Sequence, residues 1–175
     1  AALGGEPYGI DTFPATLGSG GGSDPDARRR GGRGAGALRL TVGGNLDLVG
    51  PITSNGEGAG GDEAGGGSGG SLWIEAGSIT GVSSISANGG NGSSAGGGGS
   101  GGYIAVYSCD ISPSISFSAN GGSSGSGSRG GDGTILIGST SVDITTQPPA
   151  EQTQPVGGAL ALSVEATGTG PLSYQ

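Results

Sequence analysis

The sequence of 175 residues contains no His, no Met and no Lys, and only one Cys. Without His or Lys, a nucleophile would have only carboxylates as bases, so the usual residue sets of acid–base and nucleophilic catalysis are missing. Cys109 cannot form an internal disulfide, and its position at a predicted strand end indicates a buried or semi-buried thiol. We therefore expect no enzyme, and intermolecular pairing of Cys109 is the alternative to a packing role.

Positive charge is also scarce, with 6 Arg against 14 acidic residues and a net charge of -8. Nucleic-acid binding requires clustered Lys and Arg, so we expect no nucleic-acid partner. Four of the Arg lie at positions 28, 29, 30 and 33, behind Asp24 and Asp26. We interpret them as part of a solvated loop in which the Arg side chains pair with nearby Asp. The alternative is a phosphate-binding site, which needs a larger basic surface than these Arg provide. No run of eighteen apolar residues occurs, so we expect no membrane insertion.

Glycine dominates the composition, with 46 Gly, and such a bias alone would suggest disorder. The apolar residues, however, recur at a fixed interval. One series, with intervals of 34, 32 and 31 residues, consists of Leu38, Leu72, Ile104 and Ile135. A second series, with intervals of 33 and 32, consists of Ile52, Ile85 and Phe117. Three residues after each member of the second series comes an Asn: Asn55, Asn88 and Asn120. A constant period in this range is typical of stacked structural repeats.

Within each repeat, alternate apolar residues predict a strand with one buried face. We expect a turn at Gly43-Gly44-Asn45 and its equivalents, then a second apolar segment, the last being Val142 to Ile144. The Asn-Gly pairs predict a sharp reversal that uses positive backbone angles. The fold class is therefore all-β: a glycine-rich β-solenoid of about four stacked coils, in which the apolar positions form one column.

Long glycine-rich arms at 56–71, 89–103 and 121–134 connect the strands. Two conformations fit such sequences: flexible loops, or polyproline-II segments whose backbones approach closely and exchange hydrogen bonds. We favour packed arms, because closing three long flexible loops costs conformational entropy, and flexible loops would make no contacts that offset this cost. The predicted organisation is an N-terminal cap at 1–17, solenoid repeats at 18–144, and a different segment at 145–175.

Two groups of residues are candidates for binding. Trp73, Tyr103 and Tyr107 lie on or beside the half-polar strand face, as a carbohydrate platform or, more commonly, as packing for an arm or a neighbouring subunit. Asp62, Glu63 and Asp132 lie on arms, and calcium bridging is the alternative to solvated acids. We predict no required cofactor.

The tail from Gln154 to Gln175 reads QPVGGALALSVEATGTGPLSYQ and resembles the opening of bacterial immunoglobulin-like domains. Residues 9–138 resemble the glycine-rich repeat regions of large secreted bacterial surface proteins, on the motifs TLGSGGG at 16–22, LTVGGNL at 40–46 and ISANGG at 85–90. The resemblance implies an extracellular, structural or adhesive role. The start Ala-Ala-Leu-Gly-Gly, without Met, is compatible with signal cleavage. Either this is part of a longer surface protein or the unfinished strands complete a sheet elsewhere.

The sequence thus predicts an extracellular structural protein, a subunit of a self-assembling filament or surface matrix. Leu160, Leu162 and Val164 are candidates for a strand donated to a neighbouring copy, because each end of a stack offers unpaired strand edges. The alternative is an adhesion module that binds polysaccharide through Trp73, Tyr103 and Tyr107. Ice binding ranks lower, since no regular Thr array is present.

Overall fold

The computed structural model describes residues 2–10, 13–24, 29–140, 142–148, 151 and 153–168. These residues form nine strands: β1 (Ala37–Leu48), β2 (Ile52–Thr53), β3 (Ser71–Gly81), β4 (Ser83–Ser86), β5 (Tyr103–Ile111), β6 (Ile115–Ser118), β7 (Thr134–Gly138), β8 (Val142–Thr146) and β9 (Glu165–Gly168). The long strands form a parallel sheet in the order β1-β3-β5-β7, and the short ones a parallel sheet in the order β2-β4-β6. The chain is a β-solenoid.

The predicted column is confirmed by the register of the long sheet. Leu38 pairs with Leu72, Leu72 with Ile104, and Ile104 with Ile135. In the short sheet, Ile52 pairs with Ile85 and Ile85 with Phe117. The apolar side chains of both sheets meet in one core, in which the central members of each column are fully buried.

The solenoid has about three turns rather than about four. β1 and β2, β3 and β4, and β5 and β6 make the three turns, and β7 begins a fourth. The segment predicted to continue that fourth coil, Val142 to Ile144, instead lies in β8 and pairs antiparallel with β9. Among the described residues, β7 is therefore the last strand of the long sheet.

The predicted turn at Gly43-Gly44-Asn45 is wrong, because β1 continues through it with a register shift between Val42 and Asn45. One extra residue here, compared with the single Gly77 of β3, produces a β-bulge. In β3 the buried positions change from even to odd numbers between Ala76 and Ile79. The strand therefore bends around the core without leaving the sheet.

The Asn residues at the ends of the short strands form a ladder. The backbone N–H of Asn88 donates to Oδ1 of Asn55 at 2.7 Å, and that of Asn120 to Oδ1 of Asn88 at 2.8 Å. The predicted positive backbone angle at Asn-Gly is wrong, because among the described residues the positive-φ glycines are Gly9, Gly81 and Gly157. Gly89 is required for a different reason: a Cβ there would overlap the carbonyl oxygen of Gly99.

The arms are packed hairpins, linked by backbone hydrogen bonds at every third residue. In the second arm Gly99 N–H donates to Gly90 O at 2.9 Å and Gly102 N–H to Ala87 O at 2.7 Å, closing the hairpin. Between turns, Gly66 N–H donates to Gly97 O at 3.0 Å. A three-residue period is that of the polyproline-II helix, which has three residues per turn and no internal hydrogen bonds. The arms thus form a second layer of the solenoid, held together by backbone contacts between neighbouring chains.

Candidate functional site

The outward-facing side of the long sheet carries the predicted aromatic residues, but in different rows. Trp73 pairs in register with Arg39 and Ala105, whereas Tyr103 and Tyr107 lie at the start and middle of β5. Trp73 and the two Tyr thus belong to different turns and different rows. They do not make one flat stripe.

Residues 13–16 of the N-terminal segment predicted as a cap at 1–17, which we call the lead-in segment, pack over this face. The ring of Phe13 meets that of Trp73 edge-on, with centroids 5.1 Å apart and an interplanar angle of 88°. From the adjacent strand, the guanidinium carbon of Arg39 lies 3.7 Å from the Trp73 ring centroid, a cation–π contact. Ser71 Oγ donates to Thr16 O at 2.7 Å. Trp73 is therefore already engaged on two sides by residues of its own chain.

The same segment runs along the arms and contacts several turns. Gly5 N–H donates to Gly98 O at 3.0 Å, and Gly131 N–H donates to Gly5 O at 2.9 Å. Further along, Gly18 N–H donates to Ala35 O at 2.8 Å. These contacts make the lead-in segment a strap on the side of the stack. Sequence periodicity gave no signal for this path, because the segment is outside the repeat.

At the two ends of the long sheet, the last members of the apolar columns are exposed, although the central members of the same columns are buried. Leu38 of β1 is 42% exposed, and Ile135 and Ile137 of β7 are 40% and 53% exposed. Their partners within the columns, Leu72, Ile104 and Val106, are at most 1% exposed. Among the described residues, each end thus combines a strand edge that has no sheet partner with aliphatic side chains that a further turn would cover.

The predicted donor residues Leu160, Leu162 and Val164 are exposed. They precede β9 and belong to none of the strands of the described chain. The turn before them is closed by a hydrogen bond from Gly158 N–H to Pro155 O at 2.9 Å. The segment therefore has side chains and backbone available for another partner.

Charged residues on the arms form ion pairs between neighbouring segments. Arg29 lies 3.7 Å from Asp62, and Arg33 lies 3.8 Å from Glu57. These Arg therefore pair with acids of the next arm; Arg28 and Asp26 lie outside the described residues. No group of three or more potential metal ligands occurs in the described part of the chain. Cys109 is exposed, which corrects the expected burial of its thiol.

Asp132 holds the third arm together through its carboxylate. It accepts hydrogen bonds from Arg129 Nη2 at 2.5 Å and from Gly121 N–H at 2.8 Å. The hydrogen bond from Arg129 and, to a smaller extent, that from Gly121 lower the pKa of Asp132 below its ordinary value. The hydrogen bond between Arg129 and Asp132 also raises the pKa of Arg129. Both side chains are about half exposed, so the effect is local.

We expect this carboxylate tether to be pH-dependent. Because the folded-state pKa is depressed, its stabilising contribution is present above the ordinary Asp pKa of about 3.8 and is lost as the pH falls through the lowered value. The measurement is the amide chemical shift of Gly121 between pH 6 and about pH 2, and Asp132→Asn should remove the titration. A midpoint at or above the ordinary Asp value would contradict the assigned hydrogen bonds.

Comparison with protein-family models, with curated proteins and with solved structures found no match. The resemblance to secreted bacterial surface proteins therefore stays a prediction. In the described ranges, no helix has the length and apolar character that crossing a membrane requires.

Proposed function

We propose that this chain is an extracellular structural protein, a subunit of a filament or surface matrix whose copies join end to end. The observation that supports this most directly is the exposure of Leu38, Ile135 and Ile137, members of columns that are buried in the middle of the stack. An unpaired edge lined with aliphatic side chains is an aggregation site unless a partner covers it. A second copy would supply the missing turn.

The two ends are complementary, since each strand pair in the long sheet is parallel and in register. When β1 of one copy follows β7 of another, Leu38 continues the column of Ile135, and Leu40 that of Ile137. Such a contact joins two different surfaces and leaves both outer ends free to repeat it. Head-to-tail contacts of this kind produce open filaments when the rotation does not close.

The segment containing Leu160, Leu162 and Val164 is a second source of contact. It could add as a strand to one open edge of a neighbouring copy, with alternate side chains placed over the exposed columns. In that arrangement the donated strand lies between the two solenoids. Strand donation requires the segment with Leu160, Leu162 and Val164, whereas direct stacking of β1 on β7 does not. Substitutions in this segment therefore distinguish the two modes of assembly.

The proposal is tested by electron microscopy of the purified chain at high concentration. We expect filaments for the natural sequence and none for Ile137→Lys, because a charge would be buried between copies while the isolated copy leaves this side chain exposed. Val82→Lys is the matched control, since Val82 is 79% exposed on the side of the stack. A natural chain that remains monomeric, or an Ile137→Lys chain that forms filaments, would refute end-to-end stacking.

The double substitution Leu160→Asp and Leu162→Asp tests strand donation. If the tail is the donor, filaments should be lost although both β7 and β1 are unchanged. If edge stacking alone joins the copies, filaments should persist. Thermal unfolding of the Ile137→Lys variant and of the double variant shows whether each still folds.

The alternative of polysaccharide adhesion has weaker support in the geometry. Carbohydrate platforms need an accessible aromatic face, and Trp73 is contacted by Phe13 and Arg39. The hypothesis still makes a clear prediction: a glycan array should show binding that is lost in Trp73→Ala. We therefore propose the structural role, without catalytic activity, as the function of this chain.

A further inference from the structure

An open groove runs along the outer side of the glycine arms, away from the two ends of the stack. One wall is the segment 19–23, the other is the segment 2–6, and the floor is formed by residues from 65–68 and 97–100. Its volume is about 460 Å³. We call it the outer groove.

The wall at 19–23 is itself an extended glycine-rich chain lying on the floor. Gly65 N–H donates to Gly22 O at 2.9 Å, and Ser68 N–H donates to Ser19 O at 2.9 Å. In the other direction Gly21 N–H donates to Gly32 O at 2.8 Å. The segment thus lies between the first and second turns and is bonded to both.

The wall at 2–6 has the same relationship to the third and fourth turns. Ser128 N–H donates to Ala2 O at 3.0 Å, and Gly131 N–H donates to Gly5 O at 2.9 Å. Gly5 N–H in turn donates to Gly98 O at 3.0 Å. Two outer chains therefore cover alternate junctions between turns, and the outer groove lies over the junction between the second and third.

The two turns are bonded to each other here, but the backbone groups that would bond an outer chain have no partner among the described residues. Counted from the column residues Leu72 and Ile104, the positions of Gly65 and Ser68 correspond to Gly97 and Ser100, whose N–H groups make no hydrogen bond within the described chain. The carbonyl oxygen of Gly66 corresponds to that of Gly98, and it also accepts none there. Gly66, Gly97 and Ser100 all line the outer groove.

Two N–H donors three residues apart, on Gly97 and Ser100, and one carbonyl acceptor, on Gly66, thus belong to residues that line an open groove, where water or a polypeptide can pair with them. We propose that the outer groove binds an extended, glycine-rich polypeptide in the polyproline-II conformation, as a third outer chain between the two existing ones. The chains on either side are of this type, and the groove continues their hydrogen-bonding pattern. The occupant is a partner polypeptide defined by this chemistry.

The existing wall shows which residues such a polypeptide needs. A Cβ on Gly18 or Gly21 would overlap backbone atoms of the floor, whereas one on Gly20 would make only an ordinary contact at 3.6 Å and one on Gly22 would meet nothing. Glycine is therefore needed at every third position. Glu6 and Glu63 line the groove, so acidic residues in the partner are disfavoured.

The probe is the capped peptide acetyl-Gly-Ser-Gly-Gly-Gly-Ser-amide, which repeats the sequence of residues 18–23. Titrated into the full chain, it should shift the amide resonances of Gly97 and Ser100 and slow their hydrogen exchange, with a dissociation constant in the millimolar range, roughly 1 mM. A peptide with Val at the first and fourth positions should bind at least about tenfold more weakly, because its side chains would overlap the floor.

Gly20→Leu provides the matching variant of the protein. Gly20 lines the groove, and a Cβ there makes only an ordinary contact at 3.6 Å with Gly32 O, so the folded structure should persist and a bulky side chain should obstruct peptide binding. Gly36→Leu lies outside the groove lining and its Cβ would meet nothing, so this variant should bind as the natural chain does. The proposal is overturned if the probe leaves Gly97 and Ser100 unchanged, if the Val peptide binds equally well, or if Gly20→Leu binds normally. None of these measurements depends on filament formation.

Discussion

Gly102→Ala is expected to destabilise the folded chain by about 3 kcal/mol or more, since overpacking commonly costs roughly 1–3 kcal/mol and backbone cannot move aside as a side chain can. A Cβ on Gly102 would overlap the carbonyl oxygen of Gly70 on the previous turn. Gly102 also donates its N–H to Ala87 O at 2.7 Å, so a shift that relieves the overlap would break the hairpin bond. Urea unfolding monitored by circular dichroism measures the change.

The control is Gly58→Ala, in the preceding arm. A Cβ at Gly58 would lie 3.5 Å from the carbonyl oxygen of Asn91, an ordinary contact. Replacing Gly by Ala restricts the unfolded chain and stabilises by about 0.4–1 kcal/mol where the backbone permits it. Gly58→Ala should therefore be neutral or slightly stabilising. Equal effects of the two substitutions would mean that the arms are loose chains rather than a packed layer.

Ile104→Ala should cost about 2–5 kcal/mol, the range for deleting a large aliphatic side chain from a packed core. Ile104 is in the centre of the column, between Leu72 and Ile135, and is fully buried. Substitution leaves a cavity lined by both neighbours, because parallel strands in register cannot close on it independently. Equilibrium unfolding of the monomeric chain is the measurement.

Ile135→Ala gives the matched comparison, with the same chemical change in the same column at the end of the stack. Because Ile135 is partly exposed, we expect less than half the cost found for Ile104→Ala in a monomer. Within a filament the two costs should converge, since a second copy would bury Ile135. A larger cost at Ile135 than at Ile104 in the monomer would contradict the column formed by these residues.

The repeat architecture could be predicted because its cause is periodic. A side chain in a column must return at the interval of one turn, so the spacing of Leu38, Leu72 and Ile104 is enough to indicate the stacking. The similar lengths of the arms indicate packing for the same reason. Periodicity does not, however, say how the backbone reaches those positions. The sequence therefore predicts a turn at Gly43-Gly44-Asn45, where the strand continues through a bulge, and positive-φ reversals at the Asn-Gly pairs, which the structure does not have.

The contacts of the lead-in strap and the outer groove could not be predicted from residue types. Phe13 and Trp73 are far apart in the sequence, and no period relates them. The groove depends on backbone groups of Gly97 and Ser100, which look identical in sequence to those of Gly65 and Ser68. Only the positions of neighbouring chains distinguish paired from unpaired amides. The aromatic residues can be found from the sequence, but their coverage by the strap cannot.

The packed arms have a consequence for how this protein responds to temperature. Their interior consists largely of peptide groups rather than hydrocarbon, as the buried stretch 66–70 shows. Exposing apolar surface raises the heat capacity on unfolding, whereas exposing polar surface lowers it. Per residue, the heat-capacity increment should therefore be smaller than in a domain with an ordinary core. The stability curve is correspondingly flat, and cold denaturation is displaced to lower temperature.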